Sequence, residues 1–221
     1  MQPGASQLSG VKALLFGACL LPLAYYAWGA WQDTLGANPI EVVTRGLGDW
    51  TLRFLLITLT VTPLRRFTGW HWLVRLRRML GLFTFFYACL HLTTYLWLDQ
   101  FFDWPAIAKD ILKRPFITVG MSAFALLVPL AATSSNAMVR RLGGRRWQAL
   151  HRAVYAIAIL AVTHFWWMVK KDITEPAIYA VVLAALLGLR MWWREQERRR
   201  QLAGEYLKKP KGRVIPLTQR N

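Results

Sequence analysis

The stretch MLGLFTFFYACLHLTTYLWL, residues 79–98, runs without a charge and carries one histidine, His91, in its second half. An α-helix rising about 1.5 Å per residue needs roughly twenty apolar residues to cross the ~30 Å hydrocarbon core of a bilayer. This run has that length. An ionisable side chain inside it is expensive to place and usually has a function.

Similar runs occupy 13–32, 115–139 and 147–169, the last interrupted only by Arg152. Two weaker runs, 50–64 with Arg53 and 176–193 with Arg190, become spans if their arginines snorkel toward the interface. The expected number of spans is therefore six. The first run reads as a helix rather than a signal peptide, because it is long and no small-residue cleavage site follows it cleanly. Apolar residues make up 55% of the chain, with 12 Trp and a mean hydropathy of +0.28. These features predict an all-α integral membrane protein, a six-transmembrane helix bundle. Its expected divisions are an N-terminal cytoplasmic segment (1–10), the helical domain (11–193) and a basic cytoplasmic tail (194–221). In that tail KKPKGR, 208–213, reads as a disordered anchor at lipid headgroups.

A net charge of +17 would suggest nucleic acid in a soluble protein, but here the basic residues follow the loops. Arg65, Arg66, Arg75, Arg77 and Arg78 lie between the second and third runs, and Arg140, Arg141, Arg145 and Arg146 between the fourth and fifth, with no acid in either connection. The tail from Arg190 adds ten basic residues against three acidic ones, whereas 32–49, 99–114 and 170–175 together hold six basic and eight acidic. Lysine and arginine stay on the cytoplasmic side, so both termini are expected there, which requires an even number of spans. Anionic lipid explains the charge, and no nucleic-acid partner is expected. The loops are short, and no internal repeat, dinucleotide motif or Walker motif is evident.

Three of the four histidines, His91, His151 and His164, lie in or at the edge of these runs. No carboxylate accompanies them, which argues against a proton relay or a zinc site. Neutral imidazoles on facing helices are what axial ligation of a haem requires. Cys19 and Cys89 begin no CxxCH motif, so such a haem is expected to be b-type. Counting along the helices places His91 roughly 18 Å and His164 roughly 25 Å from the cytoplasmic ends of their spans, against about 6 Å for His151. His91 with His164 is therefore the better single pair, and His151 is left as a ligand of a second, inner haem, an alternative ligand, or a hydrogen-bonding neighbour. On a straight helix His151 and His164 stand some 140° apart, too far to face one partner. Position 77, the place for a paired inner histidine, is arginine. Arg77, Arg78, Arg145 and Arg152 are candidates for haem propionates or a flavin phosphate, or are plain positive-inside residues. His71, within WHW among basic residues, reads as a headgroup-level side chain.

The strings LGANP (35–39), RLRRMLGL (75–82), LHLTTY (90–95), KRPFITVG (113–120), TSSNAMVRRLG (133–143), RWQALHRAVY (146–155) and THFWWMVKK (163–171) resemble those of the MsrQ (YedZ) family. This family lies within the ferric-reductase-like transmembrane superfamily. The resemblance covers roughly 35–171. It implies a haem b electron-transfer subunit of the bacterial inner membrane, holding one haem or two, with FMN as a further associated cofactor. The donor it implies is the quinone pool or a cytoplasmic flavin reductase. The recipient it implies is a periplasmic molybdenum-cofactor reductase that repairs methionine sulfoxide in oxidised envelope proteins. By position, His91, His151 and His164 are the family's haem-associated histidines. A paired inner histidine and a fused FAD/NADPH domain, present in larger members of the superfamily, are both missing. Two other classes stay open at this level: a ferric-chelate or oxygen reductase, and a haem-free transporter or assembly protein.

Overall fold

Helix starts and stops follow local chemistry in the computed structural model, which describes residues 3–169 and 171–208. The first helix, α1, is Ala5–Trp31, and α2 is Pro39–Thr68. Asn38 caps α2 by accepting a hydrogen bond from the Glu41 N–H, and Pro39 takes the first turn, where its missing N–H costs nothing. Gly69 closes α2 at φ +73°, a left-handed conformation natural to glycine. A 3₁₀ turn, His71–Leu73, leads into α3, Val74–Thr94, which continues through one π-helical turn, Tyr95–Asp99. Then follow α4 (Trp104–Lys113), α5 (Pro115–Ala132), α6 (Asn136–Leu142), α7 (Gly144–His151), α8 (Val154–Met168) and α9 (Thr174–Lys208). No strand occurs among the described residues.

Five units are long and apolar enough to cross a membrane: Ala5–Trp31, His71–Asp99, Pro115–Ala132, Gly144–Met168 and Thr174–Gly204. The sixth long helix, α2, is more polar and lies at the centre. Its Leu52, Leu55, Leu56 and Leu59 pack with α5, α8 and α9, while its Leu47, Phe54 and Val61 pack with α1 and α3. Helix-facing rather than lipid-facing surroundings let α2 carry charge along its length. Arg53 donates from Nε to the Tyr179 hydroxyl of α9 at 2.9 Å and lies over the Trp50 ring. Arg66 pairs with Glu197 of α9 at 2.6 Å.

Two prolines create gaps in backbone hydrogen bonding that side chains fill. Pro63 has no N–H to offer the Leu59 carbonyl one turn back. Arg190, buried in α9, donates to that carbonyl and also to Leu186 O. Beside Pro22 of α1, the Tyr87 hydroxyl stands between Cys19 and Leu23, donating to the Cys19 carbonyl at 2.8 Å and accepting from the Leu23 N–H at 3.1 Å. An inserted side chain next to a proline is a recognised cause of helix bending. Tyr87 is fully buried, so α3 holds α1 through this contact.

Two helix boundaries differ from the hydropathy pattern. The uncharged run 115–139 is not one helix: α5 stops at Ala132, and Ser135 caps α6 by accepting from the Met138 N–H. The Thr133 hydroxyl donates to Pro129 O at 2.6 Å beside its own N–H, and the Ser134 hydroxyl donates to Leu130 O at 2.7 Å while the Ser134 N–H turns to Ala131 O. The run 147–169 is broken at Arg152 and Ala153, where α7 ends and α8 begins. At the termini, α1 starts at Ala5 and α9 continues past Trp193 to Lys208. Most of KKPKGR falls outside the described residues.

Candidate functional site

His91 sits near the end of α3 and His164 near the end of α8, each on a helix running away from the arginine-rich connections. Both line one cavity between α2, α3, α5 and α8. Their ring centres are 6.3 Å apart, with the planes at 73°.

Each ring is held the same way. His91 Nδ1 lies 2.8 Å from Thr44 O on α2, and His164 Nδ1 lies 2.6 Å from Phe116 O on α5. A carbonyl only accepts, so each Nδ1 carries the proton and donates it. Each Nε2 is then left with a free lone pair, the arrangement that orients imidazole ligands at metal sites and raises their basicity. One turn beyond each carbonyl stands a glycine under the ring. A Cβ at Gly48 would lie 3.1 Å from His91 Cε1, and a Cβ at Gly120 would lie 2.8 Å from His164 Nδ1. The absence of a side chain admits the ring against the helix.

Thr44 and His91 are 47 positions apart, and Phe116 and His164 are 48. The pair α2–α3 and the pair α5–α8 thus present equivalent halves of one site. Besides the glycine and the histidine, the two halves share only a few apolar positions, Leu55 with Leu127 and Ala88 with Ala161, too few for a repeat to be visible by inspection of residues. The near-equal glycine-to-histidine spacings were the available signal for Gly48 and Gly120.

Apolar side chains, among them Leu52, Leu55, Ala88, Leu127 and Ile157, line the cavity toward the bundle interior. Its other end is polar, with Arg45, Asp49, Asp99 and Arg114. Arg45 is paired with Glu41 at 2.5 Å and Arg114 with Asp110 at 3.3 Å. Thr44 lines the same cavity, and its hydroxyl is buried without a hydrogen-bond partner among the described residues. It remains available to a polar group of a bound molecule, whereas the Tyr95 hydroxyl faces the Asp110 carboxylate.

The donor set fits a haem. A metal–imidazole bond of about 2 Å on each side, with about 1 Å from each nitrogen to its ring centre, sums to about 6 Å between ring centres. No group of three or more His, Cys, Asp or Glu suited to a metal ion occurs among the described residues.

The structure does not bring His151 to this cavity. Its Nε2 lies 3.0 Å from Thr133 Oγ1, and its ring stacks on Trp147 at 3.9 Å between centroids. The break at Arg152 and Ala153 separates it from the helical phase of His164. The basic candidates also lie elsewhere. Arg77 is within electrostatic reach of His151 and Arg190, Arg78 donates to Asn136 Oδ1 at 2.7 Å, and Arg145 and Arg152 are exposed. Cys19 and Cys89 are free thiols.

Residues 47–162 match the family model of the ferric reductase like transmembrane component. The chain is 64% identical over 198 residues to the protein-methionine-sulfoxide reductase heme-binding subunit MsrQ of Azospira oryzae, covering 89% of this chain and 83% of that relative. Identity to the MsrQ heme-binding subunit of Herminiimonas arsenicoxydans is 58%, covering 89% and 91%. For that of Rhodospirillum rubrum it is 57%, covering 81% and 86%.

Proposed function

The chain belongs to the ferric-reductase-like transmembrane family and, within it, to the MsrQ heme-binding subunits, and from that premise we propose that it is the haem b electron-transfer subunit of a methionine-sulfoxide reductase system. The observation that carries this reading is the pair His91 and His164, two imidazoles with free Nε2 atoms whose ring centres are 6.3 Å apart. These two residues would hold the haem iron. A haem iron held by two imidazoles supplies one-electron transfer with little change of coordination.

The protein's own groups do the rest. Thr44 O and Phe116 O hold the two Nδ1 protons and so keep both rings in the ligating tautomer. Gly48 and Gly120 seat the rings, and the leucines of α2 and α5 keep water from the apolar side of the cavity. Burial and the two carbonyl hydrogen bonds together tune the potential.

Helix α2 completes six crossings in this reading, with both termini and the connections 65–78 and 140–146 on the cytoplasmic side of the bacterial inner membrane. The histidine pair then lies toward the periplasm. Electrons enter at the basic end from a quinol or a cytoplasmic flavin reductase, with Arg77, Arg78 and Arg152 available to an anionic donor such as FMN. They leave toward a periplasmic molybdenum-cofactor subunit, where methionine sulfoxide is reduced. His151 is the histidine available to any second haem at the basic end, on condition that it releases Thr133.

Purified protein, reduced anaerobically and mixed with the catalytic subunit and methionine sulfoxide, is expected to show reoxidation of b-type bands matching substrate consumed. Bands that reoxidise only with an Fe(III) chelate would assign the chain to the chelate-reductase class. The lack of any b-type bands would eliminate the haem reading.

A further inference from the structure

A second concave site lies between α1 and α3, on the side of α3 facing away from the histidine cavity. It measures about 550 Å³. Lys12, Arg75 and Arg78 stand at one end, and Phe16, Leu82 and Phe86 are among its apolar walls. No acidic residue lines it. Among the described residues Lys12 and Arg75 have no ion pair, and Arg78 is bound only to the neutral Asn136 amide. Its walls open to the outside of the bundle, with Phe16 51% and Leu82 40% exposed.

From the depth of Arg75 to that of Phe86, eleven residues along α3, is roughly 16 Å. That is about half of the ~30 Å hydrocarbon core, the depth of one leaflet. The same direction holds on α1, where Lys12 marks the basic end and Leu20 the apolar one. We propose that this groove is a binding site for an anionic phospholipid of the leaflet on the basic side. The phosphate lies among Lys12, Arg75 and Arg78, and an acyl chain lies along Phe16, Leu82, Phe83 and Phe86. Charge complementarity and length together select this occupant. A neutral quinone does not call for three cations, and a flavin phosphate leaves a leaflet-deep apolar wall unfilled. The lipid seals a seam that the protein closes mainly through Tyr87 and the aromatic contact of Phe16 with Phe83 at 5.2 Å. The inference rests on α1 and α3 as membrane spans, not on the haem reading.

The test is native mass spectrometry of the intact protein released from nanodiscs of mixed phosphatidylglycerol and phosphatidylcholine. The wild type is expected to retain phosphatidylglycerol in preference to phosphatidylcholine. K12Q/R75Q/R78Q is expected to lose that adduct at least tenfold, whereas R140Q/R141Q/R145Q, altered outside the groove, keeps it. Leu82→Trp fills the groove with all three cations in place and should also expel the lipid, a check that does not depend on the triple variant inserting. Equal retention of the two lipids, equal loss in both triple variants, full retention by Leu82→Trp, or displacement of the lipid by micromolar FMN each overturns the proposal.

Discussion

His164 rests on Gly120, with the space for a Cβ at that glycine ending 2.8 Å from the imidazole Nδ1. Below about 3 Å the ring must move, and moving it breaks the hydrogen bond to Phe116 O that fixes its tautomer. Gly120→Ala is therefore expected to lower haem retention and shift the low-spin spectrum of the remainder. Gly48→Ala, with 3.1 Å to His91 Cε1, should do the same to a smaller degree. Absorption and electron paramagnetic resonance spectra of the two variants at equal protein concentration give the ranking; a larger loss in Gly48→Ala counts against the seat.

Replacing His91 or His164 by alanine removes one of two ligands. Each variant should lose the low-spin b-type spectrum, and millimolar imidazole in the buffer should restore part of it by entering the vacated side. An unchanged Soret band with full haem stoichiometry in either variant refutes the pairing.

His151→Ala separates a ligand from a neighbour. The His91–His164 signal is expected to survive, because His151 does not line that cavity. Iron per protein, measured on the same sample, shows whether a second haem depends on this residue. Loss of the low-spin signal itself would place His151 in the first site.

Arg190 and Pro63 are expected to be energetically coupled. Arg190→Met leaves the Leu59 carbonyl unpaired in the interior, a cost of about 1–3 kcal/mol. Pro63→Ala returns a backbone N–H that can reach the same carbonyl, so Arg190→Met should cost less in that background, by about 1–2 kcal/mol of coupling. Unfolding midpoints of the four proteins in mixed micelles complete the cycle, and strictly additive effects would show that the guanidinium does not serve that carbonyl.

Much of the fold was legible along the chain because bilayer length is a local property. The four clear runs and the weaker run 176–193 fall on the five helices long and apolar enough to cross a membrane. The polar helix α2 was weakly marked, since it is shielded by neighbouring helices rather than exposed to lipid. The breaks at 133–135 and 152–153 were not legible. Thr133, Ser134 and Ser135 act through hydrogen bonds to their own backbone, which hydropathy does not register. At 152–153 the one interruption of the apolar run is Arg152, and a single arginine does not by itself mark a turn.

The sequence by itself determined that the helices are apolar enough for a membrane, how many histidines fall in or beside the apolar runs, and the order along the helices that sets His151 apart from the other two. Those quantities depend only on composition and on rise per residue. Only the tertiary structure decided that His91 and His164 face each other and that each is pinned through Nδ1 and seated on a glycine. It also decided that His151 turns to Thr133. The physical reason is that rotation of one helix about its axis, and its distance from the next, are set by packing between residues some 47 positions apart. No local periodicity encodes that contact.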